Sequence, residues 1–145
     1  MPPVTTILLV DDNPVLLQMT GLILQSKGEY RVLEAETQQE AVVQCEQWRS
    51  EIDLLITDVC VGEQTGRAIA YALAALRPQL RVLFISGYPK DHLVRNELLG
   101  PADALLAKPF SAETLFRHVH EALNSSQQTQ TVTPFRQSCV EKAAC

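Results

Sequence analysis

Residues 7–14 read I-L-L-V-D-D-N-P, in which four apolar residues lead directly into two adjacent aspartates. The apolar run is typical of a central strand in a parallel sheet, because such a strand is covered by helices on both faces. Asp11 and Asp12 repel each other at the end of this strand, which costs stability unless a positive charge lies nearby. The stretch therefore predicts a buried parallel strand that ends at a site for a cation.

Four more apolar runs follow, at intervals that leave room for a helix between each pair. The five predicted strands are 5–10, 30–35, 52–57, 80–85 and 102–107. The first, third and fourth runs are almost continuously apolar, as central strands are. The second run alternates, with Arg31 between Tyr30 and Val32, which indicates an edge strand.

Each intervening stretch carries a helical pattern with a recognisable start or end. In the first, Pro14 stands at an early helical position, and Val15, Met19 and Leu22 recur at helical spacing until Gly28 ends the run. The other helices are predicted from the capping box at 37–40, at about 64–76 and 90–99, and from the N-cap residue Ser111. Each predicted strand is therefore followed by a helix.

Strict alternation of strands and helices predicts the α/β fold class. Because crossovers between parallel strands are right-handed, the strands should form one sheet with helices on both faces. We expect a single doubly wound, flavodoxin-like (βα)5 domain with strand order 2-1-3-4-5, whose ligands bind at the carboxyl ends of the strands. It is predicted to span residues 1–124, followed by a polar C-terminal tail or linker at 125–145.

Composition argues against several classes of protein. A net charge of −5 without a cluster of lysine and arginine does not suit a nucleic-acid surface. The chain has no apolar run long enough to span a membrane and no signal-peptide pattern, so we expect no membrane association and a cytoplasmic location. The four cysteines form no C-x-x-C pair and are predicted to be unpaired thiols.

Polar residues follow four of the five predicted strands. Asp11 and Asp12 follow the first, Asp58 the third, Ser86 the fourth and Lys108 the fifth. A parallel sheet aligns the carboxyl ends of its strands, so these residues should share one crevice. Three carboxylates make an oxygen-rich site suited to a small divalent ion such as Mg²⁺, and Lys108 supplies a second positive charge.

The same groups could receive a phosphoryl group. A metal ion and Lys108 would neutralise its oxygens, Ser86 would make one hydrogen bond, and Asp58 would be the nucleophile that forms an acyl phosphate. Each residue alone has a simpler interpretation, since Asp12 could cap the first helix and Lys108 could be a solvated lysine. Their joint occurrence at the strand ends favours the functional interpretation.

Across residues 5–123 the chain resembles the receiver domain of two-component response regulators. The matching motifs are V-D-D-N (10–13), T-D (57–58), Gly66, I-S-G (85–87) and K-P-F (108–110). The resemblance implies that a sensor histidine kinase or a histidine phosphotransfer protein donates a phosphoryl group to Asp58. It implies a phosphoacceptor signalling domain rather than an enzyme, an unknown downstream protein, and a monomer or phosphorylation-linked dimer.

The resemblance also implies how the site is organised. Mg²⁺ would be held by Asp12, Asp58 and the backbone carbonyl of Cys60, with Asp11 reaching it directly or through water. The Lys108–Pro109 peptide bond would be cis, which would turn the lysine back into the site.

The residues expected to transmit the signal depart from the commonest receiver pattern. By resemblance, phosphorylation draws Ser86 inward and reshapes the face formed by the fourth helix, fifth strand and fifth helix. Many receivers carry an aromatic residue that moves with this hydroxyl, where this chain has Leu105. The signal would then pass through Tyr88 or the fourth helix, unless Leu105 is only a core residue and Tyr88 only a surface ring.

Three residues beside the phosphoacceptor differ as well. Gly62 stands where many receivers have proline, which predicts a more flexible loop. Cys60 and Tyr88 lie two residues after Asp58 and Ser86, at positions that border the path of attacking water in this family. Neither side chain is suited to orient water, so we predict slow hydrolysis of phosphorylated Asp58.

The same residues bear on three alternatives to a stand-alone regulator. The chain could be a receiver excised from a hybrid histidine kinase, which would carry the same motifs. A binding-only pseudo-receiver would usually lack one of the acidic residues or the lysine, which are all present here. A phosphohydrolase of the haloacid dehalogenase class would need a general acid two residues after Asp58, where the chain has Cys60.

Overall fold

A computed structural model describes residues 4–48 and 51–125. Its strands are β1 (Thr5–Val10), β2 (Tyr30–Ala35), β3 (Ile52–Asp58), β4 (Cys60–Val61), β5 (Gln64–Thr65), β6 (Arg81–Ser86) and β7 (Leu105–Ala107). Its helices are α1 (Pro14–Gln25), α2 (Gln38–Gln47), α3 (Gly66–Leu76), α4 (Lys90–Arg95) and α5 (Ala112–Leu123). Within the described residues, no helix is long and apolar enough to cross a membrane. The predicted tail lies outside them, apart from Ser125.

Five strands form one parallel sheet in the order β2-β1-β3-β6-β7. This order confirms the predicted arrangement 2-1-3-4-5, because β6 and β7 are the fourth and fifth strands expected from the sequence. The central strands β1, β3 and β6 are mostly buried, whereas β2 at the edge is mostly half-exposed. One core lies between the sheet and α2, α3 and α4, and a second lies between the sheet and α1 and α5.

Two predicted element starts are wrong because turns intervene. The third helix begins at Gly66 rather than at 64, since β4 and β5 form a short antiparallel hairpin that turns at Gly62, where φ is +61°. The fifth strand begins at Leu105 rather than at 102. There, the N–H of Gly100 donates to Asp103 Oδ2 at 2.7 Å and closes a turn before the strand.

The fourth helix is shorter than predicted and ends at Arg95 rather than at 99. Glu97 takes a left-handed conformation with φ of +62°, which no helix can continue through. The chain then folds back, and the N–H groups of Leu98 and Leu99 donate to the carbonyl of Leu93 at 2.9 and 3.3 Å. The two leucines thus enter the core instead of extending the helix.

The apolar stripe read from α1 in the sequence faces away from the core. Leu17 and Leu24 are buried instead, on the same side as Gly21, where a side chain would collide with the carboxylate of Glu34 on β2. No residue of α1 is charged, so its periodicity predicts a helix but does not identify the buried face. We call the exposed apolar side chains the α1 patch, which consists of Val15, Leu16, Met19 and Leu22.

Candidate functional site

Asp11 and Asp12 lie just beyond β1, where the chain turns toward α1. Asp11 is buried, and its Oδ1 accepts a hydrogen bond from the N–H of Asn13 at 2.9 Å. Asp12 is exposed, and its Oδ2 accepts from the N–H of Gly62 at 3.0 Å. That contact ties the hairpin after β3 to the end of β1.

The N-cap of α1 is Asn13 and not Asp12. Asn13 Oδ1 accepts hydrogen bonds from the N–H groups of Val15 and Leu16 at 3.0 and 3.2 Å. The simpler interpretation of Asp12 as a helix cap is therefore wrong, and its carboxylate contributes to the crevice instead.

Asp58 ends β3, with 8% of its surface exposed. The next residues are held tightly, because the N–H of Val59 donates to the carbonyl of Ile85 on β6 at 3.0 Å. The N–H of Gly66 donates to the carbonyl of Val59 at 2.6 Å and closes the loop before α3. A Cβ atom at Gly66 would collide with the carbonyl oxygen of Asp58 and lie 3.2 Å from the ring of Phe84. Glycine at this position thus lets α3 approach the phosphoacceptor candidate.

Substituting Gly66 with alanine should therefore lower the free energy of unfolding by about 2 kcal/mol or more, because backbone must move to admit the methyl group. Urea unfolding of both proteins measures the difference. Gly87→Ala is the matched control, since the added Cβ there meets no atom within 4 Å. Equal losses for the two variants would contradict the importance of the close approach.

Lys108 directly follows β7, and its side chain contacts both buried aspartates, Asp11 and Asp58. Its Nζ lies 2.9 Å from Asp58 Oδ1 and 4.0 Å from Asp11 Oδ2. The Lys108–Pro109 peptide bond is cis, as the resemblance implied. The N–H of Lys108 also donates to the carbonyl of Ser86 at 2.9 Å, which fixes the lysine backbone against the end of β6.

Ser86 is buried at the end of β6, with 4% of its surface exposed. Its Oγ accepts a hydrogen bond from the backbone N–H of Tyr88 at 3.0 Å. The hydroxyl is therefore oriented by the loop that leads to α4.

Carboxylate oxygens of Asp11, Asp12 and Asp58 lie within 4.8 Å of one another. Asp58 Oδ1 is buried and, apart from its ion pair with Lys108, has no hydrogen-bond partner among the described residues. Hard oxygen ligands clustered this closely fit a small divalent cation such as Mg²⁺.

Cys60 is half-buried and opens β4, two residues after Asp58. Its side chain is disulfide-bonded, so the prediction of an unpaired thiol is wrong at this position. Cys45 is a thiol in the core, as predicted, and Cys139 and Cys145 lie outside the described residues. Position 60 presents a sulfur atom, without an acid or an amide group, beside the phosphoacceptor candidate.

The pKa of the Asp58 carboxyl is raised from 3.8 to about 8, and burial is the largest cause. Its hydrogen bond and charge repulsion with Asp11 add to this increase, and the attraction of Lys108 opposes it without cancelling it. In the absence of a cation, the folded state therefore favours the protonated form of this carboxyl. A bound cation would favour the ionised carboxylate.

The family model described as Response regulator receiver domain matches residues 7–120. The chain is a response regulator receiver domain.

Curated relatives of this receiver include both large and small proteins. It is 38% identical over 122 residues to sensor kinase CckA of Brucella abortus (strain 2308), covering 81% of the chain and 12% of the kinase. It is 28% identical to transcriptional regulatory protein GlrR of Escherichia coli (strain K12), covering 83% of the chain and 26% of that protein. It is 26% identical to chemotaxis protein CheY of Bacillus subtilis (strain 168), covering 81% of the chain and 97% of that protein. The chain thus spans a small part of the first two relatives.

Solved structures show the same fold. The receiver superposes on chemotaxis protein CheY4 of Vibrio cholerae with a TM-score of 0.72 at 26% identity, covering 82% of the chain and 98% of that structure. It superposes on the receiver domain of the hybrid histidine kinase CckA with a TM-score of 0.68 at 30% identity, covering 81% of the chain and 98% of that structure. The flavodoxin-like fold predicted from strand and helix alternation is therefore correct.

Two contributors to this receiver's site were not predicted from the sequence. Asn13 directly precedes Pro14, a combination of N-cap and N1 residues that could have identified it as the cap. The Gly62 N–H contact with Asp12 joins residues 50 positions apart, and no local pattern reveals it.

Proposed function

We propose that this receiver belongs to a two-component system and accepts a phosphoryl group from a phosphohistidine onto Asp58, with Mg²⁺ as cofactor. The observation that carries the proposal is the 2.9 Å ion pair between Lys108 Nζ and Asp58 Oδ1 inside a cluster of three carboxylates. A purely structural ion pair would not require two further acidic groups beside it, since these destabilise each other.

In the proposed reaction, an ionised oxygen of Asp58 attacks the phosphorus atom while the bond from phosphorus to the donor imidazole nitrogen breaks. The products are an aspartyl phosphate and the unphosphorylated histidine of the donor. Lys108 is positioned beside Asp58 to neutralise charge on the transferred group, and the buried hydroxyl of Ser86 supplies one hydrogen bond.

Asp11, Asp12, Asp58 and the backbone carbonyl of Cys60 would hold the Mg²⁺ ion. When bound, the ion neutralises phosphoryl oxygens and favours the ionised form of Asp58. Lys108 then remains available for the phosphoryl group, since its Nζ contacts Asp58 and Asp11 from the β7 side of the crevice.

We infer that the donor, a sensor histidine kinase or a histidine phosphotransfer protein, docks on the α1 patch. Large apolar side chains exposed on one helix face are typical of an interaction surface. The patch continues into a cavity of about 450 Å³, where Leu16 and Met19 meet Lys108, Pro109 and Phe110. A donor seated there would lie beside Lys108, whose Nζ contacts Asp58.

Met19→Glu should reduce phosphotransfer from the protein donor by on the order of tenfold to a hundredfold, because a charge in the patch would be desolvated on docking. Phosphorylation by acetyl phosphate should be unchanged, since that donor is too small to use the patch. Radiolabel transfer measures both rates. Val43→Glu, at a half-exposed apolar position on α2, is the control. A parallel loss with acetyl phosphate would contradict docking as the cause.

Aspartyl phosphate at Asp58 should hydrolyse over minutes or longer rather than seconds, because the sulfur at Cys60 and the ring of Tyr88 cannot orient water. Loss of radiolabel from the purified phosphoprotein in Mg²⁺ gives the half-life. Cys60→Asn introduces an amide and should hydrolyse faster, whereas Cys60→Ala should not. A half-life of seconds in the natural protein would refute this prediction.

Beryllofluoride with Mg²⁺ provides a direct test of the proposed site. Amide NMR of the natural protein should show changes around Ser86 and Lys108 on titration, and Asp58→Asn should show none. An unchanged spectrum in the natural protein would favour the binding-only pseudo-receiver.

A second candidate function is that of the receiver domain within a hybrid histidine kinase. The 38% identity to sensor kinase CckA favours it. Both candidates use the same chemistry and differ in what adjoins the receiver, which we propose spans 1–124 with 125–145 as a tail or linker. In either setting we propose a cytoplasmic signalling domain that acts on a downstream protein, without nucleic-acid or membrane binding and without enzymatic turnover, as a monomer or phosphorylation-linked dimer.

A further inference from the structure

The loop after β6 connects the buried hydroxyl of Ser86 to α4 through one residue. The backbone N–H of Tyr88 donates to Ser86 Oγ at 3.0 Å, and the ring of Tyr88 stacks on the ring of His92. The two ring centroids are 5.0 Å apart and the ring planes differ by 20°. A movement of Ser86 would therefore displace Tyr88 and, through the ring contact with His92, would also displace α4.

The α4 segment is short and is held to the rest of the domain by identifiable contacts. It has six residues, and Leu93 is its buried apolar anchor. Its start is fixed by Lys90, whose Nζ donates to the carbonyl of Asp103 at 2.8 Å, and by the stack on His92. Breaking the stack would thus remove one of a few restraints that hold this short helix in place.

His92 also makes the present arrangement less stable than it could be. Its Nε2 is buried and has no hydrogen-bond partner among the described residues. An unsatisfied buried nitrogen is destabilising, so an alternative position of α4 that exposes or pairs this atom costs less than it otherwise would.

Leu105 offers no alternative ring pathway on β7. It is half-buried, pairs with Phe84 of β6 in the sheet and packs against the core. Leu105 thus carries no ring that could respond to Ser86, whereas Tyr88 is hydrogen-bonded to Ser86 directly.

We propose that the Tyr88–His92 stack couples phosphorylation of Asp58 to the position of α4, with Tyr88 as a positioning residue that acts through Ser86. The proposal rests on the proposed function of Asp58. The stack belongs to the unphosphorylated arrangement, and engagement of Ser86 by the phosphoryl group separates the two rings and releases α4. Coupling is reciprocal, so weakening the stack must favour the phosphorylated arrangement.

A double-mutant cycle on the full chain tests this coupling, with the dissociation constant for beryllofluoride in saturating Mg²⁺ as readout. Tyr88→Ala and His92→Ala should each bind beryllofluoride about threefold to tenfold more tightly, and the double variant no more tightly than either single one. The backbone N–H at position 88 survives in both, so only the ring contribution is removed. Unchanged or weaker binding, or fully additive effects, would overturn the proposal.

Conservative variants and a second measurement keep the test independent of folding defects. Tyr88→Phe and His92→Phe retain stacked rings and should bind as the natural protein does, and so should Tyr71→Ala, at an exposed tyrosine on α3. In the natural protein, cross-relaxation between ring protons of Tyr88 and His92 should disappear on saturation with beryllofluoride. Its persistence, with Asp58 occupied, would overturn the coupling while leaving the proposed phosphoacceptor intact. Failure of the natural protein to bind beryllofluoride would instead refute the proposed function.

Discussion

Asp58→Asn should abolish phosphorylation and, in the absence of divalent cations, make the domain more stable at pH 8 than the natural protein. The natural carboxyl has a pKa raised from 3.8 to about 8, first by burial and then by Asp11. Its protonated form is therefore favoured in the folded state. The contribution of this protonated carboxyl to stability is fully present below pH 4. It is lost as the pH rises toward 8, because the carboxyl ionises more readily in the unfolded chain, where water solvates its charge.

The expected gain for Asp58→Asn at pH 8 is on the order of 3 kcal/mol in the free energy of unfolding, and it should vanish near pH 4. Urea unfolding across this range, in a chelator, measures the difference between the two proteins. Asp91→Asn, at an exposed position on α4, serves as the control for the loss of one carboxyl. Adding Mg²⁺ should stabilise the natural protein more than Asp58→Asn. A constant difference between the two at all pH values would contradict the raised pKa.

Lys108→Ala should lower the rate of phosphorylation by acetyl phosphate about a hundredfold or more, because in the proposed reaction this ammonium, 2.9 Å from Asp58 Oδ1, would neutralise charge that builds up in the transition state. It should also raise the pKa of Asp58 further, since Lys108 is the group that lowers it. Initial rates in saturating Mg²⁺ measure the first effect.

Lys27→Ala provides the comparison for Lys108→Ala, because Lys27 lies over the ring of Phe116 and outside the crevice. Its rate should match that of the natural protein. Lys108→Arg should retain part of the activity, since it keeps the charge but replaces a compact ammonium with a planar group. A loss below threefold for Lys108→Ala would mean that the ion pair with Asp58 serves stability only.

The fold could be predicted almost completely because alternation of strands and helices is a property of local sequence. The apolar runs predicted the bounds of the central strands to within one residue. Because crossovers between parallel strands are right-handed, only a few sheet topologies were possible. The grouping of the candidate site residues could be predicted for the same reason, since a residue at the carboxyl end of a parallel strand has few other places to lie. Asp11, Asp58 and Lys108 converge although they are spread over much of the chain.

Features set by contacts between distant residues were not predictable in this way. The end of α4 depends on Leu98 and Leu99 finding space in the core, which no pattern within 90–99 records. The buried face of α1 is the one on which Leu17 and Leu24 pack into the core, and the periodicity of the helix alone does not identify it. In each case the sequence pattern is compatible with two outcomes, and tertiary packing selects one.

The absence of charge from α1 has a consequence for how this receiver chooses among donors. Charged interfaces accelerate encounter and repel wrong partners, and both effects weaken as salt screens them. Recognition through the α1 patch would lack that means of discrimination, because the helix P-V-L-L-Q-M-T-G-L-I-L-Q offers only apolar and neutral polar groups. Selectivity would instead come from the fit of side chains, so its affinity for a donor should change little with ionic strength. Specificity of that kind is easily altered, since a single change of side-chain size on either partner can redirect the signal.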